Sequence, residues 1–542
     1  MRNTIKSMAA AILGFAAIAC SSPEKMAEQA ENVLVKCEPA VLEVVAGEIN
    51  ASVTVTYPAD YFHPKATLAV TPVIVFDGGE VKMEPFMFQG EKVEDNYQVV
   101  PSEGSTVTKA VKFAYAPGME NCYLELRAVA SHKKDQIDLP TKKVADGANT
   151  TYMLICKKAN LPLKADNYQE IIKQTEEGQV LYQINSSVVR NSETKSQSVK
   201  DFLAAVEAVK ANERKALIST DVVAYASPDG KEDQNAKLSD NRSKSAEKAF
   251  NKITKKNPFG VPVNVTSVGE DWEGFQELVA ASDIEDKDLI IRVLSMYSDP
   301  AVREQEIKNM SAVYTTLAKN VLPELRRARF IANVEYTNYS NEELLKLIEE
   351  NIDVLDETAI LRAATLVKCC DQKVALYKKA VEKFNSANGQ YNLAVTYIMM
   401  DKLAEAKAAL ANCAEDADVK NAKGVVALLE GNNDEAAKLF EAAGNNANLA
   451  IVDVLKGDYK AAAAKVAGEK NFNAALIALL NGDTAPAAAL ECACCPCVAY
   501  LRAIAAARNG DAEGVKKNLE VAKKCEKLAA RAEKDIEFAQ YK

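Results

Sequence analysis

Histidine and tryptophan are nearly missing from this sequence of 542 residues, which contains only His63, His132 and Trp272. Histidine is the commonest metal ligand and the general base of most nucleophilic triads, so its scarcity argues against metal hydrolases and histidine-based catalysis. The sequence also contains no phosphate-binding P-loop, no dinucleotide-binding glycine run and no HExxH helix. We therefore predict no enzyme, no catalytic residue and no cofactor, and we interpret both histidines as loop residues.

An excess of positive charge is missing as well. The 66 lysines and arginines are outnumbered by 76 aspartates and glutamates, for a formal net charge of -10. A nucleic-acid-binding protein needs a basic face. Because charges of both signs are mixed along this chain, no nucleic-acid partner is expected. Single hydrophobic cores stop growing near about 250–300 residues, so a chain of this length should form several domains.

A long apolar run occurs at the N-terminus. Arg2 and Lys6 precede Met8–Ala19, a stretch with the charge and length of a signal peptide and too short to span a bilayer. The small residue directly before Cys20 resembles the lipobox of bacterial lipoproteins. This resemblance implies that residues 1–19 are removed and that Cys20 is acylated, so that its acyl chains anchor the protein in a membrane. The alternative is an ordinary signal peptide followed by an incidental cysteine.

Residues 20–32 are predicted to be a polar tether, and residues 33–157 a β domain. Apolar and polar residues alternate in several segments, such as Ser52–Tyr57, and glycine and proline recur at the breaks. Short strands with frequent turns predict an immunoglobulin-like β-sandwich. The polar residues 158–177 predict a linker with a short helix.

The stretch Asp221–Phe250 predicts a strand, a tight turn and a helix in succession. The apolar residues of the expected buried strand are Leu217, Ile218, Val222 and Val223. Pro228 and Gly230 break the chain after the strand. Asn235 and Arg242 then lie on one face of the helix, so an amide and a guanidinium point the same way. This arrangement is suited to holding a carboxylate.

The pattern G-x-x-x-x-N-x-x-L-S-x-x-R resembles the OmpA C-terminal-like family, periplasmic modules that hold peptidoglycan. The residues that carry the pattern are Gly230, Asn235, Leu238, Ser239 and Arg242. The likeness extends over residues 180–336 and implies an α/β domain, which we place at residues 178–339 with a helical insertion at 255–322. Trp272 in that insertion is interpreted as a packing residue, with ligand stacking as the alternative.

The resemblance also implies a ligand site. In the family, an aspartate holds the amine and the helix arginine holds the carboxylate of the diamino acid in the wall peptide. Ser227 stands where that aspartate is expected, and Asp229 restores the charge if the turn brings it inward. Ser227, Asp229, Asn235 and Arg242 are therefore predicted to bind peptidoglycan weakly. The alternatives are a ligand other than peptidoglycan, or a module that serves only as a docking surface.

From Ser340 the composition shifts to Ala, Leu, Glu, Lys and Asn, without strand signals. A turn followed by an alanine-rich helix recurs, starting near Met400, Gly431, Gly457, Gly482 and Gly510. These units resemble degenerate tetratricopeptide repeats (TPRs), in which small residues let paired helices approach and stacking buries a shared face. The resemblance implies an all-α array over residues 340–542 that binds outer-membrane proteins. Plain helical packing without a binding groove is the alternative.

Four cysteines are clustered close together in the array, next to Pro496. They are Cys492, Cys494, Cys495 and Cys497. The favoured interpretation is that cysteine replaces alanine as a small packing residue. A disulfide across the turn is one alternative. A soft-metal site is another, although structural zinc sites draw their ligand pairs from separated segments. We predict no metal.

The order of these parts resembles outer-membrane lipoproteins of the Bacteroidota. The implied fold class is multidomain, with an N-terminal β-sandwich, a central α/β domain with a helical insertion, and an all-α repeat array. The expected function is that of a non-enzymatic scaffold, lipid-anchored in the outer membrane and facing the periplasm. It would link the membrane to peptidoglycan or to protein partners. An enzyme that uses the cysteine cluster or the Trp272 segment is the remaining alternative.

Overall fold

The computed structural model describes residues 23–255, 259–284, 287–309, 311–492 and 495–542. The predicted signal peptide, the lipidation site Cys20 and the cluster residue Cys494 lie outside the described residues.

The chain forms two compact units. Unit 1 joins the chain up to Lys164 with Asn385–Lys542, and unit 2 is Ala165–Phe384. The units therefore cut across the predicted boundaries. The N-terminal β region packs with the later helices, while residues 340–384 of the predicted array belong to unit 2.

Unit 1 begins with a short helix followed by β-strands. The helix α1 is Pro23–Glu28, and the strands are β1 Leu34–Glu38, β2 Val41–Val45, β3 Glu48–Tyr57, β4 Thr67–Phe76, β5 Gly79–Lys82, β6 Phe86–Gln89, β7 Gln98–Val99, β8 Ser105–Ala114, β9 Cys122–His132, β10 Asp135–Asp138 and β11 Lys142–Asn149. Strand β3 shows why they form: Ile49, Ala51, Val53 and Val55 are buried, while the residues between them are more exposed. This period of two is that of a half-buried strand.

All these strands belong to one curled mixed sheet, a half-barrel. Its order is β1-β3-β2-β11-β9-β4-β6-β7, with β10 beside β9, β5 beside β4 and β8 beside β3. The sequence predicted two separate sheets. They are joined because β2 pairs in parallel with β11, with Val41 opposite Asp146.

Unit 2 contains a second, smaller sheet with helices. Its elements are β12 Ile171–Leu181, α2 Gln197–Ala211, β13 Lys215–Ala226, α3 Glu232–Ile253, β14 Val263–Glu270, α4 Trp272–Ala281, α5 Lys287–Met296, α6 Pro300–Asn309, α7 Ser311–Asn320, β15 Arg327–Thr337, α8 Asn341–Glu350, α9 Glu357–Leu366 and α10 Cys370–Phe384. The sheet order is β12-β15-β13-β14, and β13 and β14 are parallel. The helices α2 and α3 cover the apolar core around Phe202, Phe250 and Phe330.

Two expectations for unit 2 need correction. Strand β12 begins at Ile171 and pairs with β15 along its whole length, so residues 171–177 are strand rather than linker. In β13, Val222 is fully buried but Ile218 is 45% exposed. The expected buried strand thus alternates, because only one face of this sheet is covered by α2 and α3.

The remaining helices follow one another in short pairs, as the predicted repeats require, but this array begins at Ala387 and not at Ser340. They are α11 Ala387–Met399, α12 Leu403–Leu410, α13 Ala417–Leu429, α14 Asn433–Ala443, α15 Asn446–Lys456, α16 Tyr459–Lys465, α17 Phe472–Leu480, α18 Ala485–Ala488, α19 Pro496–Arg508, α20 Ala512–Ala522 and α21 Glu526–Lys534. The recurring glycines end the first helix of a pair with positive φ, as at Gly457 (84°) and Gly482 (91°). Glycine adopts this conformation without steric cost. No helix among the described residues combines the length and apolar character needed to cross a membrane.

Candidate functional site

Residues Ile155–Lys164 follow the half-barrel in the chain and lie outside helices and strands. We call them the groove segment, because the first helices of four consecutive pairs in the array, α11, α13, α15 and α17, hydrogen-bond to it. Each of these helices contributes one asparagine. These groove asparagines, which are between 0% and 4% exposed, are Asn392, Asn421, Asn448 and Asn473.

At both ends of the groove segment, an asparagine pairs with one complete backbone unit. The Asn392 Oδ1 atom accepts from the Lys164 N–H at 2.8 Å, and its Nδ2 donates to the Lys164 carbonyl at 3.0 Å. Asn473 pairs in the same way with the N–H and C=O of Cys156, both at 2.9 Å. Each carboxamide therefore accepts from the N–H and donates to the C=O of one residue, as a neighbouring strand does in an antiparallel sheet.

In the middle, two asparagines converge on one carbonyl. The Nδ2 atoms of Asn421 and Asn448 donate to the Asn160 carbonyl at 2.8 and 3.2 Å. Asn448 also donates to the Asn421 Oδ1 atom at 2.7 Å, which orients both amides. A buried amide without a partner costs about 1–3 kcal/mol. The groove segment therefore satisfies polar groups that four apolar helices would otherwise bury at a cost.

The rim of the groove is acidic where the segment is basic. The Lys164 Nζ atom lies 2.8 Å from the Asp416 Oδ2 atom, also contacts Asp418, and lies over the ring of Tyr391 at 5.3 Å. The hydrogen bond between Asp416 and Lys164 is the main cause of two pKa shifts. It lowers the pKa of the Asp416 carboxyl and raises the pKa of the Lys164 ammonium.

A second cation site lies at Lys158, whose Nζ atom is 2.7 Å from the Asp401 Oδ1 atom and 3.3 Å from the Met399 carbonyl. The side chains of Lys158 and Lys164 are 19% and 25% exposed. Backbone pairing thus combines with two charge contacts.

The chain just before the groove segment is fastened to the end of the array. The Arg531 Nη2 atom donates to the carbonyl and the hydroxyl of Thr150 at 2.9 and 2.8 Å. Glu537 accepts from Asn149 at 2.8 Å and from Thr151 at 3.1 Å. The groove segment therefore enters the groove from a fixed point.

Sequence reasoning identified the repeats but missed the groove asparagines. The available signal was an asparagine beside apolar residues on the first helix of four successive repeats, as in Asn392-Leu-Ala-Val and Asn448-Leu-Ala-Ile. Asparagine is a poor residue for a helix interior. Its recurrence at one place in the repeat therefore calls for a partner outside the helix.

Of the four residues predicted to bind peptidoglycan, Ser227 and Asp229 lie between β13 and α3, Asn235 is in the first turn of α3, and Arg242 is in the middle of that helix. Arg242 is 1% exposed. Its Nε, Nη1 and Nη2 atoms donate to the carbonyls of Ser186 (3.0 Å), Tyr225 (2.9 Å) and Gln183 (3.4 Å). Burial, more than any neighbouring charge, lowers the pKa of Arg242 to about 10. Binding a carboxylate would require the guanidinium to exchange these backbone bonds.

The other three residues are joined by hydrogen bonds. The Ser227 hydroxyl donates to the Asp229 Oδ1 atom at 2.5 Å, and the Asn235 Nδ2 atom donates to the Ser227 carbonyl at 3.1 Å and to Glu270 at 2.8 Å. The other oxygen of Asp229 pairs with Arg326 at 3.0 Å. Asp229 therefore restores a negative charge beside Ser227, but an arginine of the chain already neutralises it.

The cysteine cluster is only partly described. Cys495 and Cys497 are free thiols on either side of Pro496, the first residue of α19. Burial, and then the neighbouring thiols of Cys495, Cys525 and Cys156, raise the pKa of Cys497. Among the described residues, no group of three or more Cys, His, Asp or Glu side chains is arranged to hold a metal ion.

Trp272 and the histidines have packing contacts. The Trp272 indole N–H donates to Glu270 at 2.8 Å, and its ring meets Phe275 edge-on at 5.7 Å between centroids. His132 ends strand β9 rather than lying in a loop, and its ring is 4.7 Å from that of His63.

Comparison with known proteins adds little to this geometry. No protein-family model matches the chain, and no curated protein matches it. Among solved structures, a TPR protein, YrrB, described as having an unusual peptide-binding site, is similar at 19% identity. The match covers 36% of this chain and 100% of that one, with a TM-score of 0.20. A TM-score this low does not show that the two proteins share a fold.

Proposed function

We propose that this chain is a non-enzymatic scaffold whose TPR-like array holds protein segments by their backbone. The observation that carries the proposal is the double hydrogen bond that Asn392 and Asn473 each make with one backbone unit of the groove segment. Because these bonds use only the N–H and C=O groups, they accept almost any side chain. The site therefore suits recognition of an irregular protein segment rather than of a small molecule.

The setting we propose is the bacterial envelope. The N-terminal signal and Cys20 support an outer-membrane lipid anchor on the periplasmic side, where other envelope proteins would supply the segments. Membrane fractionation tests this setting: a Cys20→Ala chain should move to the soluble fraction, and an unchanged distribution would contradict the anchor.

A second candidate function belongs to unit 2. The pattern around Gly230 and Arg242 supports an OmpA-like module, with weak peptidoglycan binding through Ser227, Asp229, Asn235 and Arg242. The observation that favours its alternative, a ligand other than peptidoglycan or a docking surface, is that the guanidinium nitrogens of Arg242 donate to backbone carbonyls of the same unit. Sedimentation with purified peptidoglycan distinguishes peptidoglycan binding from its alternative, since only a peptidoglycan-binding module should co-sediment.

The groove is tested by opening it in the full chain. The double variant Cys156→Pro/Lys164→Pro removes the two backbone N–H groups that donate hydrogen bonds to Asn473 and Asn392, since proline has no N–H. Cys156→Ala/Lys164→Ala is the matched control, because it keeps both N–H groups. A labelled peptide with the sequence of residues 155–164, with serine for Cys156, should bind the proline variant, as measured by fluorescence anisotropy.

Adding Asn392→Ala/Asn473→Ala to the proline variant should abolish peptide binding, whereas adding Asn412→Ala should not. Asn412 is exposed in the turn after α12, and its side chain donates to the Ala408 carbonyl of that helix. If no folded variant binds the peptide, the array does not recognise segments and the proposal fails.

A further inference from the structure

We infer that the groove segment occupies its own chain's groove as a displaceable stand-in, and that the partner it stands in for is a protein segment with two lysines six positions apart. The inference rests on the proposed function and adds the chemistry of the partner. Lys158 and Lys164 define the spacing. What the groove holds in the structure is the best guide to what it takes from another protein.

The first argument is that the asparagines alone provide no selectivity. Their hydrogen bonds to the segment go to the backbone of Cys156, Asn160 and Lys164, apart from one long bond of 3.4 Å that the Asn160 side chain donates to Asn448. The side-chain contacts that distinguish one segment from another are the charge contacts at the two lysines. Lys164 lies between Asp416 and Asp418 and over the ring of Tyr391. Without a cation, two carboxylates would face each other next to an aromatic ring.

The spacing follows from how the array is built. Lys158 pairs with Asp401, in the turn between α11 and α12, and Lys164 pairs with Asp416 and Asp418, at the start of α13. These acidic residues lie at the turns and ends of rigid helices, so the distance between the two cation sites is set by helix packing. A segment with one lysine, or with two at another spacing, would leave one acidic site empty.

The second argument is that the groove segment can leave without opening a core. Ala159 and Pro162 are exposed, and Leu163 is 41% exposed. The segment is held mainly by hydrogen bonds and by ion pairs near the surface, and an incoming segment of the same chemistry forms the same ones. Ile155 is buried, so the chain stays attached at that point while the rest exchanges.

Tethering sets how tightly the partner must bind. A segment joined to its own groove competes at an effective concentration that is commonly millimolar. The apparent affinity for a partner is reduced by the fraction of molecules with an open groove. A partner that is itself tethered, or present in several copies on a surface, overcomes this competition most easily.

The test compares three labelled peptides on the parent chain and on the Cys156→Pro/Lys164→Pro chain. All three carry serine for Cys156 and glutamine for Lys157, so that a third lysine cannot restore the spacing. The first otherwise has the sequence of residues 155–164, the second has glutamine also at Lys158 and Lys164, and the third has these two lysines moved to the positions of residues 159 and 163. The first peptide should bind the proline chain at least about ten-fold more tightly than it binds the parent chain, because the tethered segment no longer competes.

On the proline chain, the glutamine peptide and the shifted peptide should each bind about five- to ten-fold more weakly than the first, as expected for losing two partly exposed ion pairs. Asp416→Asn/Asp418→Asn should erase most of this preference without weakening the glutamine peptide. Asp434→Asn is the matched control, since Asp434 pairs with Lys456 on the exposed surface.

If the proline chain fails to fold, Lys158→Ala/Lys164→Ala in the full chain opens the groove by removing the charge contacts instead. Equal binding of all three peptides would overturn the requirement for two lysines six positions apart, but would leave the proposed function standing. Equal binding of the first peptide to the parent and opened chains would overturn the claim that a partner must displace the groove segment. Binding of no peptide to any opened chain would overturn the proposed function itself.

Discussion

The groove of unit 1 and the Arg242 cluster of unit 2 use the same chemistry for opposite purposes. In both, side chains that are at most 4% exposed donate to backbone carbonyls. Arg242 binds the backbone of its own module, at Tyr225 in β13 and at Gln183 and Ser186 after β12. Those partners lie 17 to 59 positions from Arg242 in the chain, whereas the groove asparagines bind a partly exposed segment 228 to 317 positions away. A buried polar side chain can therefore serve architecture or recognition, and its backbone partner shows which.

The strongest test of this contrast is to remove the arginine. Arg242→Ala leaves three partly buried carbonyls without their donor, and we expect a loss of about 2–4 kcal/mol in the stability of unit 2. Hydrogen exchange of β13 and β15 should accelerate, while exchange of the groove segment should not change. Arg190→Ala is the control, since Arg190 is 46% exposed and pairs only with nearby Glu193. Unchanged protection of β13 would show that Arg242 is not a structural residue and would return it to the candidate ligand site.

A smaller effect is expected in the groove. Asn448→Ala removes one of the two donors to the Asn160 carbonyl and one of the two donors to the Asn421 Oδ1 atom. We expect a cost of about 1–2 kcal/mol. Faster hydrogen exchange in residues 156–164, with unit 2 unaffected, would support the separation of roles. Exchange that accelerates equally in the Asn412→Ala control would contradict it.

The smallest expected effect is a pH dependence of the charged rim. The pKa of Asp416 is lowered chiefly by its hydrogen bond with Lys164. A carboxylate with a lowered folded pKa contributes stability above its unfolded pKa, about 3.9, and loses it as the pH falls through the folded value. The effect is modest because the Asp416 side chain is 48% exposed.

Asp416→Asn isolates this contribution, because asparagine is also a good N-cap for α13 and only the charge is lost. Urea midpoints should favour the parent chain between pH 5 and 7, and the difference should shrink below about pH 4. A difference that stays constant down to pH 3 would mean that the charge of Asp416 does not contribute.

Much of unit 1 was predictable, and the reasons are local. Alternating residues such as Ile49, Ala51 and Val53 indicate strands, and the repeated glycines mark turns because few other residues accept positive φ. The joining of the strands into one half-barrel was not predictable. It depends on the parallel pairing of β2 with β11, which lie far apart in the chain. The period of two in a strand shows which face is buried but not which strand lies beside it.

The sequence alone determined the repeats, their turns and the placement of the groove asparagines on four apolar helices, because helix periodicity and glycine conformation act over a few residues. Only the tertiary structure decided what those asparagines bind. Asn473 and Cys156 are separated by 317 positions, and a side-chain amide can pair with any backbone unit that reaches it. The same holds for Arg242: its place on α3 was readable from sequence, but the carbonyls that surround it were brought there by folding.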